Sequence, residues 1–467
     1  MVAIRDESVL AIEHAHTLRQ LWRHRPASPA ALREFQLRKL RVLVAHCRRH
    51  VAAYREHWRG CDLDPADISR PEDIAALPAI GKTELRSRPV GETLVDGARL
   101  HRLVRHRTSG SSGQPFTIYR SQREEHLLNL FRLRAAAGAG VRLFDRIVRF
   151  SQLPLGGPPR RWPGSLRQGL GIHCEESLDG LAPGDEMADR LARSRADVVR
   201  GYPSMLLRIA ACTQQRARHR VPPRLILSGG EVLQASARRT IEAAFSAPLV
   251  DFYGAHEFNL LAWQCPAGDG YHVCDDNVLV EIVDDAGRAA PIGEPGEVVA
   301  TALHSYTMPF VRYRTGDIAV RGDDRCGCGL AFSTLRAIQG RAVDYLHLPE
   351  GRRLHPYAVT GHLAEREAEW ISQHQLVQTG TGHVVLKIQP ARTPKPGDVE
   401  RLRAFGAGIL GARVQFDVAL VDRFPSHPSG KFHPYVSLHA PAPGLIHAPS
   451  ASASRSGGDP GVSRPDT

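Results

Sequence analysis

The run Arg107-Thr108-Ser109-Gly110-Ser111-Ser112-Gly113-Gln114-Pro115 packs hydroxyls and glycines into one short stretch. Glycine permits turns at positive φ that aim successive N–H groups into one concavity, and Thr and Ser hydroxyls add donors. The stretch therefore suits the oxygens of a polyphosphate such as ATP. It lacks the Gly-Lys-Ser/Thr end of a Walker loop, and taken alone it reads more readily as a surface loop. Three later segments change that reading. Asp251-Phe252-Tyr253-Gly254-Ala255-His256-Glu257 ends an apolar run expected to be a buried strand, leaving a ring and a carboxylate at the strand's C-terminal end. Tyr253 could stack there on a base, and Glu257 could hold Mg²⁺. In Met308-Pro309-Phe310-Val311-Arg312-Tyr313-Arg314-Thr315-Gly316-Asp317 a carboxylate follows a glycine turn and could accept from both ribose hydroxyls. Pro428-Ser429-Gly430-Lys431-Phe432 sets a lysine in a glycine loop, in a chain with five lysines and 56 arginines. Alone, Lys431 reads as a surface turn; beside the other segments it reads as a compact point charge where a planar fork would not serve.

In this order the segments resemble the adenylate-forming superfamily, and within it the branch of phenylacetate-coenzyme A ligases and capsular polysaccharide biosynthesis proteins. The resemblance covers most of the chain. Residues 108–113 look like the family's phosphate loop. Ser228-Gly229-Gly230-Glu231 looks like its adenine-side loop, and Tyr253-Gly254 to Glu257 like its Y-G-x-x-E motif. Tyr313 to Asp317 matches Y-R-T-G-D at every position, and Ser429-Gly430-Lys431 occupies the place of the terminal S-G-K. Gly340-Arg341-Ala342-Val343-Asp344 stands where the family has a G-R-x-D-D hinge, with Val343 replacing the first Asp.

The resemblance implies an α/β fold: a large adenylate-forming N-terminal domain with mixed sheets and helices (1–340, helical over 1–100) and a small mobile α+β C-terminal lid (341–440). It also implies a chemistry. A carboxylate attacks the α-phosphate of ATP, giving an acyl adenylate that then passes to an acceptor. Thr108, Ser109, Gly110, Ser111, Ser112 and Gly113 would cradle phosphates. The loop from Ser228 to Glu231, Tyr253-Gly254, Arg314 and Asp317 would hold the nucleoside, with Glu257 on Mg²⁺. Arg341 would follow the phosphates, and Lys431 would bridge substrate and α-phosphate. Phe252, His256 and the 150–173 region would line the acid pocket, an aryl or arylacetic acid fitting best. The acceptor is expected to be coenzyme A; an amine, a carrier protein, nucleotidyl transfer to a cofactor and a non-catalytic ATP-binding role stay open as alternatives.

The elements that must position these residues follow from periodicity. Residues 29–59 read as amphipathic helix with Leu37, Leu40, Leu43, Val44 and Val51 on one face. From Arg102 to about Arg341 short apolar runs alternate with helical segments such as Gln234 to Phe245, as βα units would. Strands are expected around 375–377, 384–386 and 414–421, with a helix from Asp398 to about Ile409, and 441–467 reads as a disordered tail. A net charge of +12 and a pI near 9.6 would permit an acidic partner, but the arginines are spread out, so no nucleic acid is expected. No apolar run is long enough to span a membrane and no signal sequence opens the chain, so a cytoplasmic protein, conceivable as a homodimer, is expected.

Eight cysteines in such a chain argue against a disulfide framework. Cys265, His272, Cys326 and Cys328 could make a closed tetrahedral zinc site, with Cys274 as a spare, or could simply be reduced thiols near a loop. Cys47, Cys61, Cys174 and Cys212 read as ordinary packing residues.

Overall fold

A computed structural model describes residues 28–107, 116–151, 174–180, 182–215, 222–268, 270–323, 326–341, 346–354, 356, 359–360, 370–424 and 432–438. The phosphate-loop residues 108–115, hinge residues 342–345, Lys431 and the expected tail 441–467 lie outside it.

Helix α1 (Pro29–His50) starts where Ser28 accepts the Ala31 N–H at 3.2 Å and Pro29 presets the first helical φ. Of the expected face Leu40, Leu43 and Val44 are buried, joined by Leu32 and Cys47, while Leu37 is half-buried. The single helical run to Arg59 is not found: Val51 is extended at φ −129°, and helix resumes only over Ala52–His57. β1 (Ile80–Gly81) follows, then a hairpin of β2 (Val104–Arg107) and β3 (Thr117–Arg120), whose last pair, Arg107 with Thr117, brackets the phosphate-loop residues. α2 (Gln122–Gly138) opens with a capping box between Ser121 and Glu124. The same Glu124 carboxylate accepts the N–H groups of Tyr306 at 2.6 Å and Thr307 at 2.8 Å, tying this helix to the segment ahead of Asp317.

Five strands then run parallel: β4 (Arg146–Ser151), β5 (Cys174–Asp179), β6 (Val198–Gly201), β7 (Leu225–Gly229) and β8 (Leu249–Tyr253). Helices α3 (Gly184–Ser194), α4 (Pro203–Gln215) and α5 (Ala235–Phe245) connect them, and their apolar residues share one core with strand residues Val148, Val199, Ile226 and Leu249. β7 and β8 read as near-continuous apolar runs in the sequence, as strands buried in this way do.

Beyond Tyr253 the expected βα alternation fails. β9 (Ala262–Gln264), β10 (Tyr271–Val273), β11 (Val278–Val283), β12 (Pro295–Ala302), β13 (Tyr313–Arg321) and β14 (Thr334–Arg341) pair antiparallel, with no α-helix among the described residues between them. Their connections are too tight for a crossover helix. Between β11 and β12, for example, Asp284 Oδ1 accepts the N–H groups of Ala286 and Arg288, both at 2.9 Å, around Gly287. All join one 12-stranded sheet in the order β11-β12-β13-β14-β10-β9-β8-β7-β6-β4-β5, with β1 beside β13.

After a short pair of β15 (Leu346–His347) and β16 (Arg353–Leu354) comes a four-stranded sheet. β17 (Ile371–Gly380), β18 (His383–Pro390), β19 (Gln415–Leu420) and β20 (Tyr435–Ser437) lie in the order β19-β18-β17-β20, with helix α6 (Asp398–Leu410) packed on them. β17, β18, β19 and α6 match the expected strands and helix closely; β20 is additional. Leu346, Trp370, Leu376, Leu386, Leu402 and Phe416 form their own core.

Burial holds two histidines neutral. His304, with Lys39 near its Nδ1, and His374, inside the smaller sheet, are both pushed down to about 4 by desolvation. A folded-state pKa below the ordinary value means the unfolded chain binds the proton first, so stability present above pH 6.5 is lost as pH falls toward 4. Each group contributes a slope of about 1.4 kcal/mol per pH unit in that window. The melting temperature is therefore expected to fall from pH 7 to pH 5, and less steeply in His374→Leu; parallel curves for variant and wild type would refute the assignment for His374.

Candidate active site

The two carboxylates singled out in the sequence come together through a crossed pair of tyrosines. Tyr253, at the end of β8, donates its hydroxyl to Asp317 Oδ2 at 2.8 Å. Tyr313, at the start of β13, donates its own to Glu257 Oε1 at 3.0 Å. Each motif thus orients the other's acid, across sequence separations that carry no local signal, and sequence reasoning missed Tyr313 altogether as a site residue. The turn that makes this possible needs Gly254, because a Cβ there would run into the Asn259 carbonyl. Asp317 is set by a second local device: its N–H donates to Thr315 Oγ1 at 3.1 Å, across Gly316 at φ +74°. The register of β13 and β14 places Arg341 directly opposite Asp317.

Glu257 is buried, and its second oxygen accepts no hydrogen bond among the described residues. A carboxylate held by one oxygen with the other left over fits a hard divalent cation such as Mg²⁺. Burial raises the neighbouring Asp251 carboxyl above its ordinary range, against the hydrogen bonds it accepts from Ser228 Oγ and from Tyr271 OH at 2.9 Å. Ser228 is therefore a buried link between β7 and β8 in this structure.

The rest of that loop turns outward. Gly230 has φ +83°, and a Cβ on it would lie 2.9 Å from the Tyr202 ring, so the loop packs flat on that ring. Glu231 accepts the Ser204 N–H at 3.0 Å and the Ser204 hydroxyl at 2.8 Å, at the start of α4. The Arg314 guanidinium forms a two-bond pair with Glu297 of β12. Arg120, which no motif marks, is buried and donates to the His256 carbonyl and, at 3.1 Å, to Glu125. Lys431 and residues 108–113 lie outside the described residues, as does the Arg341 side chain.

The four expected metal ligands do converge. One ligand atom each from Cys265, His272, Cys326 and Cys328 lies within 4.8 Å of all the others, with Cys265 and Cys326 sulfurs 3.7 Å apart and Cys328 Sγ 3.2 Å from His272 Nε2. Three sulfurs and one imidazole fit a closed tetrahedral zinc site. The spare, Cys274, is buried away from it, its sulfur 3.4 Å from Arg134 Nη2.

Residues 108–304 match the family model of AMP-binding enzymes. The phenylacetate-coenzyme A ligase of Pseudomonas putida is 30% identical over 307 residues, 62% of this chain and 67% of that enzyme. The ligase of the same name from Thermus thermophilus is 26% identical over 334 residues, 68% of this chain and 71% of that one. In fold, a solved 2-hydroxyisobutyryl-CoA ligase in its postadenylation state, in complex with R3-HIB-AMP, aligns with a TM-score of 0.69 at 20% identity, covering 86% of this chain and 88% of that one. The chain belongs to the adenylate-forming, AMP-binding enzyme family, in its phenylacetate-coenzyme A ligase branch.

Proposed function

We propose that this protein is an AMP-forming ligase that activates an aryl or arylacetic acid with ATP and passes the acyl group to coenzyme A. The observation that carries the reading is the crossed pairing of Tyr253 with Asp317 and Tyr313 with Glu257, which presents one acid for a ribose and one for a cation from a single sheet region. In the first step a carboxylate oxygen attacks the α-phosphorus, the bond to the bridging oxygen breaks, and pyrophosphate leaves. In the second the acceptor sulfur attacks the acyl carbon, losing its proton, and AMP leaves with the bonding pair. Little covalent chemistry falls to the protein, so positioning and charge neutralisation dominate. Mg²⁺, when bound at Glu257, would neutralise phosphate charge. Residues 108–113 would supply N–H and hydroxyl donors to the phosphates, Asp317 would accept from the ribose, and Arg341 and Lys431 would face the phosphoryl oxygens. A structural zinc ion on Cys265, His272, Cys326 and Cys328 completes the proposal, and the cytoplasm is the compartment that suits both thiolates and coenzyme A.

The test is pyrophosphate release with hydroxylamine trapping across aryl, arylacetic, short aliphatic and amino acids, followed by coenzyme A, a small amine or a carrier protein as acceptor. A signal confined to aryl or arylacetic acids, consumed on adding coenzyme A, is the expected result; silence on every acid despite ATP binding would overturn it in favour of nucleotidyl transfer. Within the same assay Asp317→Ala should raise the KM for ATP about 10- to 100-fold with a smaller change in kcat, the loss of a charge-assisted bond made in both ground and transition states. An unchanged KM would remove Asp317 from the nucleoside site.

A further inference from the structure

Glu231 makes one contact that its loop position does not explain. Besides the two bonds from Ser204, its Oε1 accepts the backbone N–H of Phe432 at 2.7 Å, across 201 residues of chain. Phe432 follows Lys431 directly, so this carboxylate holds the residue adjoining the lysine. Both ends of the contact are fixed. On one side Ser204 clamps Glu231 at the start of α4, where the unpaired helical N–H groups favour a negative charge. On the other, the segment after Lys431 is pinned to the small sheet: Gln375 Nε2 donates to the His433 carbonyl at 2.9 Å, Leu376 N–H donates to the Pro434 carbonyl at 2.8 Å, and the Phe432 ring packs edge-on to Phe424. A second bond joins the same two parts of the molecule, from Gln234 Nε2 to the His374 carbonyl at 3.3 Å.

We infer that Glu231 is a positioning residue for adenylation, a seat on the large sheet's β7–α5 loop that fixes the backbone of Phe432, the residue next in sequence to Lys431. The inference rests on the role given to Lys431 above. It assigns Glu231 to the small sheet's docking through its carboxylate, a job distinct from lining the adenine, and it needs an acid at this position because three donors converge on two oxygens. A neutral Gln has one acceptor oxygen and would turn its amide hydrogens toward a donor, so Glu231→Gln should fall between wild type and Glu231→Ala.

The experiment has two readouts. In amide hydrogen exchange on the full chain, the peptide containing Phe432 should exchange at least tenfold faster in Glu231→Ala, with Glu231→Gln intermediate and the peptides of β12 and β13 unchanged. In acid-dependent pyrophosphate release, Glu231→Ala should lose about 10- to 100-fold in kcat. Combined with Lys431→Ala it should lose nothing further, since a residue acting only through the lysine has no effect once the lysine is gone. Exchange at Phe432 equal to wild type, or an additive loss in the double variant, would overturn the inference. Failure of the functional reading looks different: wild type itself would then release no pyrophosphate with any acid, while the exchange comparison would still decide whether Glu231 seats the segment.

Discussion

Lys431→Ala is expected to abolish acyl adenylate formation, lowering acid-dependent pyrophosphate release by about 10²–10³-fold while ATP binding weakens only a few-fold. The magnitude is that of removing one preorganised charge from a developing oxyanion in a water-poor site. The asymmetry follows from what the lysine would meet. In the proposed site ATP would be held over several contacts, by the phosphate-loop donors, Asp317 and a cation at Glu257, so one missing charge would cost little in the ground state. At the transition state negative charge shifts around the α-phosphate, and a compact ammonium bridging substrate and α-phosphate would have no substitute there. Arg341, the other cation of the proposal, lies on β14 in register with Asp317. Measuring kcat and the ATP dissociation constant separately checks the claim: equal losses in both would mean that Lys431 is a nucleotide-binding residue only, and normal turnover would remove it from the reaction.

The sequence carried most where the signal was local. The Tyr313 to Asp317 run is legible within a few residues, and the metal-ligand set by residue type in two short segments, 265–272 and 326–328. The small sheet was legible because its strands and α6 differ in period. What failed was long-range. The apolar runs of β7 and β8 and those of β9 to β14 look alike by composition, yet β7 and β8 are joined by helix α5 and the later strands without an α-helix among the described residues, so the sheet changes from parallel to antiparallel after Tyr253. The tyrosine-to-acid crossing joins residues 64 and 56 positions apart, and no periodicity marks it. Arg314 carries a motif label, and the neighbouring strand supplies Glu297 to it. Glu231 likewise carried a motif label while its carboxylate faces Ser204 and Phe432.

That change of direction within the sheet also locates the second large effect, removal of the proposed zinc. The antiparallel set is joined to the parallel set through β10 and β9, and the seam between β10 and β14 consists of the pairs Tyr271 with Leu335 and His272 with Thr334. So short a ladder is a weak seam for a sheet of this width. The four ligands bracket it: Cys265 follows β9, His272 lies in β10, and Cys326 and Cys328 lie between β13 and β14. A tetrahedral ion there would staple the strands on either side of the seam, and because the site does not exist in the unfolded chain, its binding energy is folding energy. Purified protein is therefore expected to contain one zinc per chain, lost in Cys326→Ser, and chelation or that substitution should lower the melting temperature by roughly 5–10 °C. Amide exchange should rise first in β10 and the start of β14, while the helices α3 to α5, packed in a separate core, stay protected. Metal-free protein with the wild-type melting temperature would show that these are three reduced thiols and an imidazole packed together, and that no ion holds the seam.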